Sequence, residues 1–138
     1  MDELMRTLVV IATYNEIENL PCLVETILGL AHELDVLVID DNSPDGTGHW
    51  VRKQADREPR LNLIERAGKL GLGTATFTGL RYAIEQRYDH VVTMDADFSH
   101  HPRYIPGLIA GLSNQPDSAP DVVIGSRYVP GGSIQGWP

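Results

Sequence analysis

The sequence predicts an α/β domain: a mostly parallel sheet with helices on both faces. Strand-like runs alternate with segments of helical periodicity, the order that a parallel sheet with crossover helices requires. Each run is apolar at successive positions, as in strands buried on both faces. Polar clusters stand where the runs end, and open parallel sheets bind ligands beyond the carboxyl ends of their strands.

The first run, Leu8-Val9-Val10-Ile11-Ala12, reads as a buried strand. After Thr13-Tyr14-Asn15-Glu16, apolar residues recur at Leu20, Val24, Ile27, Leu28 and Ala31, which is helical spacing. Pro21 falls in the first turn, where a missing N–H costs little. Cys22 lies among these positions and is expected in the core. Val36 to Ile39 is the second strand and ends on Asp40-Asp41. Asn42-Ser43-Pro44-Asp45-Gly46 has turn chemistry, and Thr47 is placed to cap a helix running towards Arg57. Leu61 to Ile64 is a short third strand. A glycine-rich loop, Gly68 to Gly73, leads into a helix marked by Phe77, Leu80, Ala83 and Ile84. His90 to Met94 is a fourth strand that stops at Asp95-Ala96-Asp97. Ile105, Leu108, Ile109 and Leu112 mark a fourth helix, and Val122-Val123-Ile124 a fifth strand.

The chain's 138 residues fit one domain, and 42% hydrophobic with 22% charged residues excludes a disordered tail. A formal net charge of −8 argues against nucleic-acid binding, which needs a basic footprint. Cys22 is the single cysteine, so an internal disulfide is impossible and a reducing compartment is the simpler expectation. The longest uninterrupted apolar stretch, Leu8 to Ala12, is far below the ~20 residues that span a bilayer. Nothing at the N-terminus has the pattern of a signal peptide. The expectation is a soluble, acidic, cytoplasmic domain.

Asp95 and Asp97 carry the main chemical clue. Alternate residues of an extended segment project the same way, about 6.6 Å apart at ~3.3 Å rise per residue. Carboxylates that close repel each other unless a cation or a proton intervenes. Hard oxygen ligands of this kind suit Mg²⁺ or Mn²⁺, which bind substrate phosphates through one or two carboxylates. A water-facing acidic loop is the plain alternative, disfavoured by the placement at a strand end. Of Asp40 and Asp41, one acid is expected to face a ligand and its neighbour to organise the following turn. His100-His101 point in different directions and lack zinc spacing, so they either support the site or shape the loop before Pro102. Arg66 and Lys69 flank the glycine-rich loop and either meet phosphate charge or stand as solvated cations. Arg127, after the fifth run, is placed to pair with a phosphate or with the Asp95/Asp97 site. Neither a dinucleotide fingerprint after the first strand nor an ATP-cradling G-x-x-x-x-G-K-[ST] is present, which disfavours hydride transfer and P-loop chemistry.

The segments at residues 12–16 (Ala-Thr-Tyr-Asn-Glu), 38–47 (Val-Ile-Asp-Asp-Asn-Ser-Pro-Asp-Gly-Thr), 71–75 (Gly-Leu-Gly-Thr-Ala), 95–102 (Asp-Ala-Asp-Phe-Ser-His-His-Pro) and 125–132 (Gly-Ser-Arg-Tyr-Val-Pro-Gly-Gly) occur in this order. Together they resemble the dolichol-phosphate (polyprenol-phosphate) mannosyltransferases, family-2 inverting glycosyltransferases of the Rossmann-like GT-A fold. The resemblance implies GDP-mannose as donor, Mg²⁺ or Mn²⁺ as cofactor, and a dolichyl or polyprenyl monophosphate at the membrane surface as acceptor. It implies that Ala12, Tyr14 and Glu16 line the nucleoside site with Ile39 and Asp41. Asp95 and Ala96 would contact the sugar-diphosphate, Asp97 would be the principal metal ligand, and Arg127 would bind phosphate. Ala12 stands where the family usually has proline, and Ser99 where some relatives carry a glutamine ligand. Residues 1–138 would form a single GT-A donor-binding domain lacking the family's C-terminal part. Rival readings are a family-2 transferase using a UDP-sugar, an inactive nucleotide-sugar-binding fragment, and a nucleotidyltransferase, whose basic glycine-rich loop after the first strand is absent.

Overall fold

The computed structural model describes residues 4–31, 33–113, 117 and 119–134. Contacts divide the chain into two compact units, one running to Pro102 and the other beginning at Arg103. The first unit holds β1 (Thr7–Thr13), α1 (Leu20–Leu28), β2 (Leu34–Asp40), α2 (Thr47–Ala55), β3 (Leu61–Glu65), α3 (Leu72–Glu85) and β4 (His90–Met94). Its four strands form one parallel sheet in the order β3-β2-β1-β4. The fold is the expected α/β class.

The strand order fixes the layers. The crossovers through α1 and α2 step across the sheet in one direction, whereas the crossover through α3 steps back past β1 to β4. Right-handed crossovers therefore put α1 and α2 on one face and α3 on the other. Leu8 and Val10 of β1 pack with Leu37 and Ile39 of β2 against Ala75 and Ala83 of α3. The alternate residues Val9, Ile11, Val36 and Val38 point to the opposite face and are wholly buried as well. Burial of both sets explains why these strands read as unbroken apolar runs.

Helix α3 approaches β1 closely because small residues, Ala75, Gly79 and Ala83, are the ones it turns inward. A Cβ on Gly79 would lie 2.5 Å from a Val10 methyl. The larger apolar residues that marked this helix in the sequence consequently face away: Phe77, Leu80 and Ile84 are exposed. Cys22 is also exposed, contrary to expectation. The buried stripe of α1 is Leu20, Leu23, Val24 and Ile27, and position 22 lies outside it.

Helix α2 stops at Ala55, two residues before Arg57, and Thr47 is its first residue, not its cap. Gly46 precedes it in a left-handed conformation, and Asp45 Oδ1 accepts the Thr47 N–H at 3.0 Å. The fifth strand does not form. Residues 121–126 have no regular structure, and Val122 and Ile124 are exposed. In the second unit this segment lies beside α4 (Ile105–Ser113), where a Cβ on Gly111 would meet Val123 methyls at 3.3 Å. A single extended segment without a partner strand has no ladder for its N–H and C=O groups, so apolar composition alone cannot make it a strand. Among the described residues no helix is long and apolar enough to cross a membrane.

Replacing Gly79 by alanine should destabilise the first unit by about 1–3 kcal/mol, because overpacking outweighs the better helix propensity. Urea unfolding of Gly79→Ala, Val10→Ala and the double variant tests this. Truncating Val10 should recover part of the loss, giving a non-additive cycle.

Candidate active site

The carboxyl ends of β1 and β2 are joined by a buried acid. Asp40, wholly enclosed at the end of β2, accepts the Thr13 hydroxyl at 2.7 Å, the Ser43 hydroxyl at 2.6 Å and the Ser43 N–H at 3.0 Å. Ser43 Oγ in turn accepts the Asn15 N–H at 2.9 Å, and Asp45 Oδ2 accepts the Ile17 N–H at 3.1 Å. Both loops turn through an asparagine at positive φ, Asn15 at 57° and Asn42 at 56°, a conformation that asparagine tolerates better than most residues. Asp40 is thus the acid that organises the turn, as one of the pair was expected to do.

Its neighbour holds a third loop. Arg66 forms a two-pronged ion pair with Asp41, at 2.5 and 2.8 Å, and both side chains are about nine-tenths buried. Asp41 Oδ2 also accepts the Leu70 N–H at 3.3 Å, while Arg66 donates to Thr74 Oγ1 and the Gly71 carbonyl. The glycine-rich loop is therefore tied to the end of β2. Arg66 is not the solvated cation that was one of the two roles expected of it. Lys69 places its ammonium 4.7 Å above the Tyr14 ring, a cation–π contact joining that loop to the end of β1.

The residues assigned to nucleoside binding by resemblance divide in three ways. Tyr14 is exposed at the rim and Ala12 is half-buried beside it. Glu16 accepts the Asn19 side-chain amide at 3.3 Å, and its N–H donates to Thr47 Oγ1 at 3.1 Å. Ile39 is wholly buried in the cluster against α3, so its side chain supports the rim from beneath without lining it.

At the end of β4 the chain bends immediately, so Asp95 and Asp97 do not belong to the extended segment expected for them. Ala96 is buried while both acids are exposed, and Phe98 adopts a left-handed φ of 64°. Asp97 Oδ1 accepts the Ser99 hydroxyl at 2.5 Å and the Ser99 N–H at 3.0 Å. Those hydrogen bonds, Ser99's hydroxyl foremost, hold the Asp97 carboxyl below the usual carboxylate range against the opposing effect of partial burial. His100 Nδ1 accepts the Asp95 N–H at 3.1 Å. Beside these acids an open cavity of about 210 Å³ is lined by Val10 and Ala12 of β1, Thr93 and Met94 of β4, Leu72 and Thr76 of α3, and Asp95 and His100. It lies between β1 and β4, where the strand order reverses direction, the usual ligand crevice of an open parallel sheet.

Among the described residues no three His, Cys, Asp or Glu side chains come together as a complete metal cage. Two exposed carboxylates at a strand end instead fit a hard dication that takes only part of its oxygen shell from the protein. Arg127 lies in the second unit, beside a turn in which Ser126 Oγ accepts the Tyr128 N–H at 3.1 Å.

Sequence reasoning missed the Arg66–Asp41 pair, the Thr13–Asp40 bond and the Lys69–Tyr14 contact. None has a signal in local spacing, since each joins different loops. The positive-φ asparagines did leave a signal: each stands two positions beyond the last residue of a strand or one beyond its acid.

Comparison with known proteins gives a consistent picture. The model of the family described as glycosyl transferase family 2 matches residues 8–138. An undecaprenyl-phosphate mannosyltransferase of Micrococcus luteus is 46% identical over 134 residues, covering 97% of this chain and 53% of the relative. A polyprenol monophosphomannose synthase of Mycolicibacterium smegmatis is 42% identical over 134 residues, covering 96% and 49%. The chain thus spans about half the length of these relatives. A mannosyltransferase from Pyrobaculum calidifontis, solved with GDP-Man and Mn²⁺, superposes with a TM-score of 0.56 at 33% identity, covering 67% of this chain and 27% of that one.

Removing Asp41 would leave Arg66 buried without its counter-ion, so Asp41→Ala should cost about 3 kcal/mol in urea unfolding. Asp97 should titrate below the ordinary carboxylate range when its side-chain carbon is followed by NMR. With a depressed folded-state pKa, its stabilisation is complete above the unfolded value and disappears as pH falls through the folded one. Ser99→Ala should move that titration upward, though not fully, because the backbone donor remains.

Proposed function

This chain belongs to glycosyl transferase family 2, and on that footing we propose that it forms the donor-binding part of a polyprenyl-phosphate mannosyltransferase. The donor would be GDP-mannose and the acceptor a dolichyl or polyprenyl monophosphate at a membrane surface. The observation that carries the reading is the exposed Asp95–Asp97 bend at the sheet's switch point, with the Asp97 carboxylate fixed by the hydroxyl and N–H of Ser99. Relatives named for polyprenyl-phosphate mannosyl transfer, and a neighbour that binds GDP-Man with Mn²⁺, support it.

Asp97 would be the principal ligand of the divalent cation, and Asp95 with Ala96 would contact the sugar-diphosphate. When bound, Mg²⁺ or Mn²⁺ supplies charge neutralisation at the departing diphosphate oxygens. Tyr14, Ala12 and Glu16 at the end of β1 would face the nucleoside, with Arg127 as a phosphate partner. Asp41, bound to Arg66, would reach the nucleoside only as part of that pair. The acceptor's phosphate oxygen is already anionic near neutral pH, so no side chain need remove a proton from it. It would form the new bond to the anomeric carbon as the bond from that carbon to GDP breaks, inverting an α-linked donor to a β-linked product. A site whose acids position a metal and a diphosphate suits that displacement.

Calorimetry on this chain should give tighter binding of GDP than of UDP, each with Mn²⁺, and Asp97→Ala should weaken the GDP complex at least tenfold. A preference for UDP would favour a UDP-sugar transferase. GDP binding without lipid-linked mannose in a radiolabel assay would leave a nucleotide-sugar-binding module.

A further inference from the structure

We propose that His100 is a positioning residue that fixes the main chain of Asp95 for ligand binding, through Nδ1 as acceptor. Its ring spans the bend: Nδ1 accepts the Asp95 N–H at 3.1 Å, and Nε2 stands 3.9 Å from Asp95 Oδ2. An Nδ1 that accepts cannot carry the proton, so the neutral ring is protonated at Nε2, on the side of the Asp95 carboxylate. One imidazole thus sets both the first peptide after β4 and the surroundings of the first acid.

The bend needs such a tie. Ser99 fastens Asp97 from within, but the segment between leaves the strand at once and passes through Phe98 at positive φ, a conformation that costs of order 1–3 kcal/mol for a bulky residue. The bond from the Asp95 N–H to His100 Nδ1 ties the start of the bend to its end. His100 also lines the cavity beside Asp95, so displacement of the ring would alter the pocket and the acid together. His100 is half-exposed, which makes a folding role for it minor.

The inference rests on the donor-site reading for its ligand, and the test separates the two. Asparagine carries its amide oxygen one bond from Cγ, as histidine carries Nδ1; the oxygen of glutamine lies one bond further out. His100→Ala and His100→Gln should speed hydrogen exchange at the Asp95 amide and weaken Mn²⁺–GDP binding at least tenfold, with thermal unfolding unchanged. His100→Asn should restore slow exchange and bring affinity within about threefold of the parent chain. Unchanged exchange in His100→Ala, or equal behaviour of the Asn and Gln variants, would overturn the assignment. If the parent chain bound no Mn²⁺–GDP, the donor-site reading would fail and the ligand role of His100 with it. Exchange at Asp95 would then still decide whether the ring sets the bend.

Discussion

Two adjacent carboxylates enclosed at the end of β2 set the conditions for everything on the rim. An acid removed from water must find donors, and an ionised one needs either several hydrogen bonds or an opposite charge. Asp40 meets that demand with hydroxyl and amide donors from β1 and from its own turn, Asp41 with the guanidinium of Arg66. Each solution recruits a different part of the chain. As a result, the loops after β1 and β2 and the loop before α3 are held to one another before any ligand arrives.

The acids at the end of β4 are built differently. They are exposed, they lie on a bend held by Ser99 and His100, and a cavity opens beside them. Buried, fully bonded acids and exposed acids are thereby separated onto β2 and β4, with β1 between them. This division suits a site whose task is to position a highly charged substrate, where rigidity of the frame and accessible charge are both required.

Much of this was legible in the chain itself. The two central strands, β1 and β2, are apolar at successive positions because both faces are covered, and that pattern survives in the one-dimensional record. Acids at three strand ends were visible for the same reason. Other features depended on contacts between distant segments. The inward face of α3 could not be read from hydrophobicity, because close approach to Val10 selects Ala75, Gly79 and Ala83 over the larger Phe77 and Ile84. Which carboxylate of the β2 pair would be ion-paired was equally hidden, since Arg66 lies 25 positions away. Val122 to Ile124 had strand composition without a strand to bond, and composition does not supply a partner.

Paramagnetic broadening by Mn²⁺ in the presence of GDP reads the central claim most directly, because it reports where the cation sits without needing turnover. The account predicts selective loss of the amide signals of residues 95–99, abolished when Asp97 is replaced by alanine. Broadening centred elsewhere, or signals at 95–99 that persist at saturating Mn²⁺ and GDP, would contradict it.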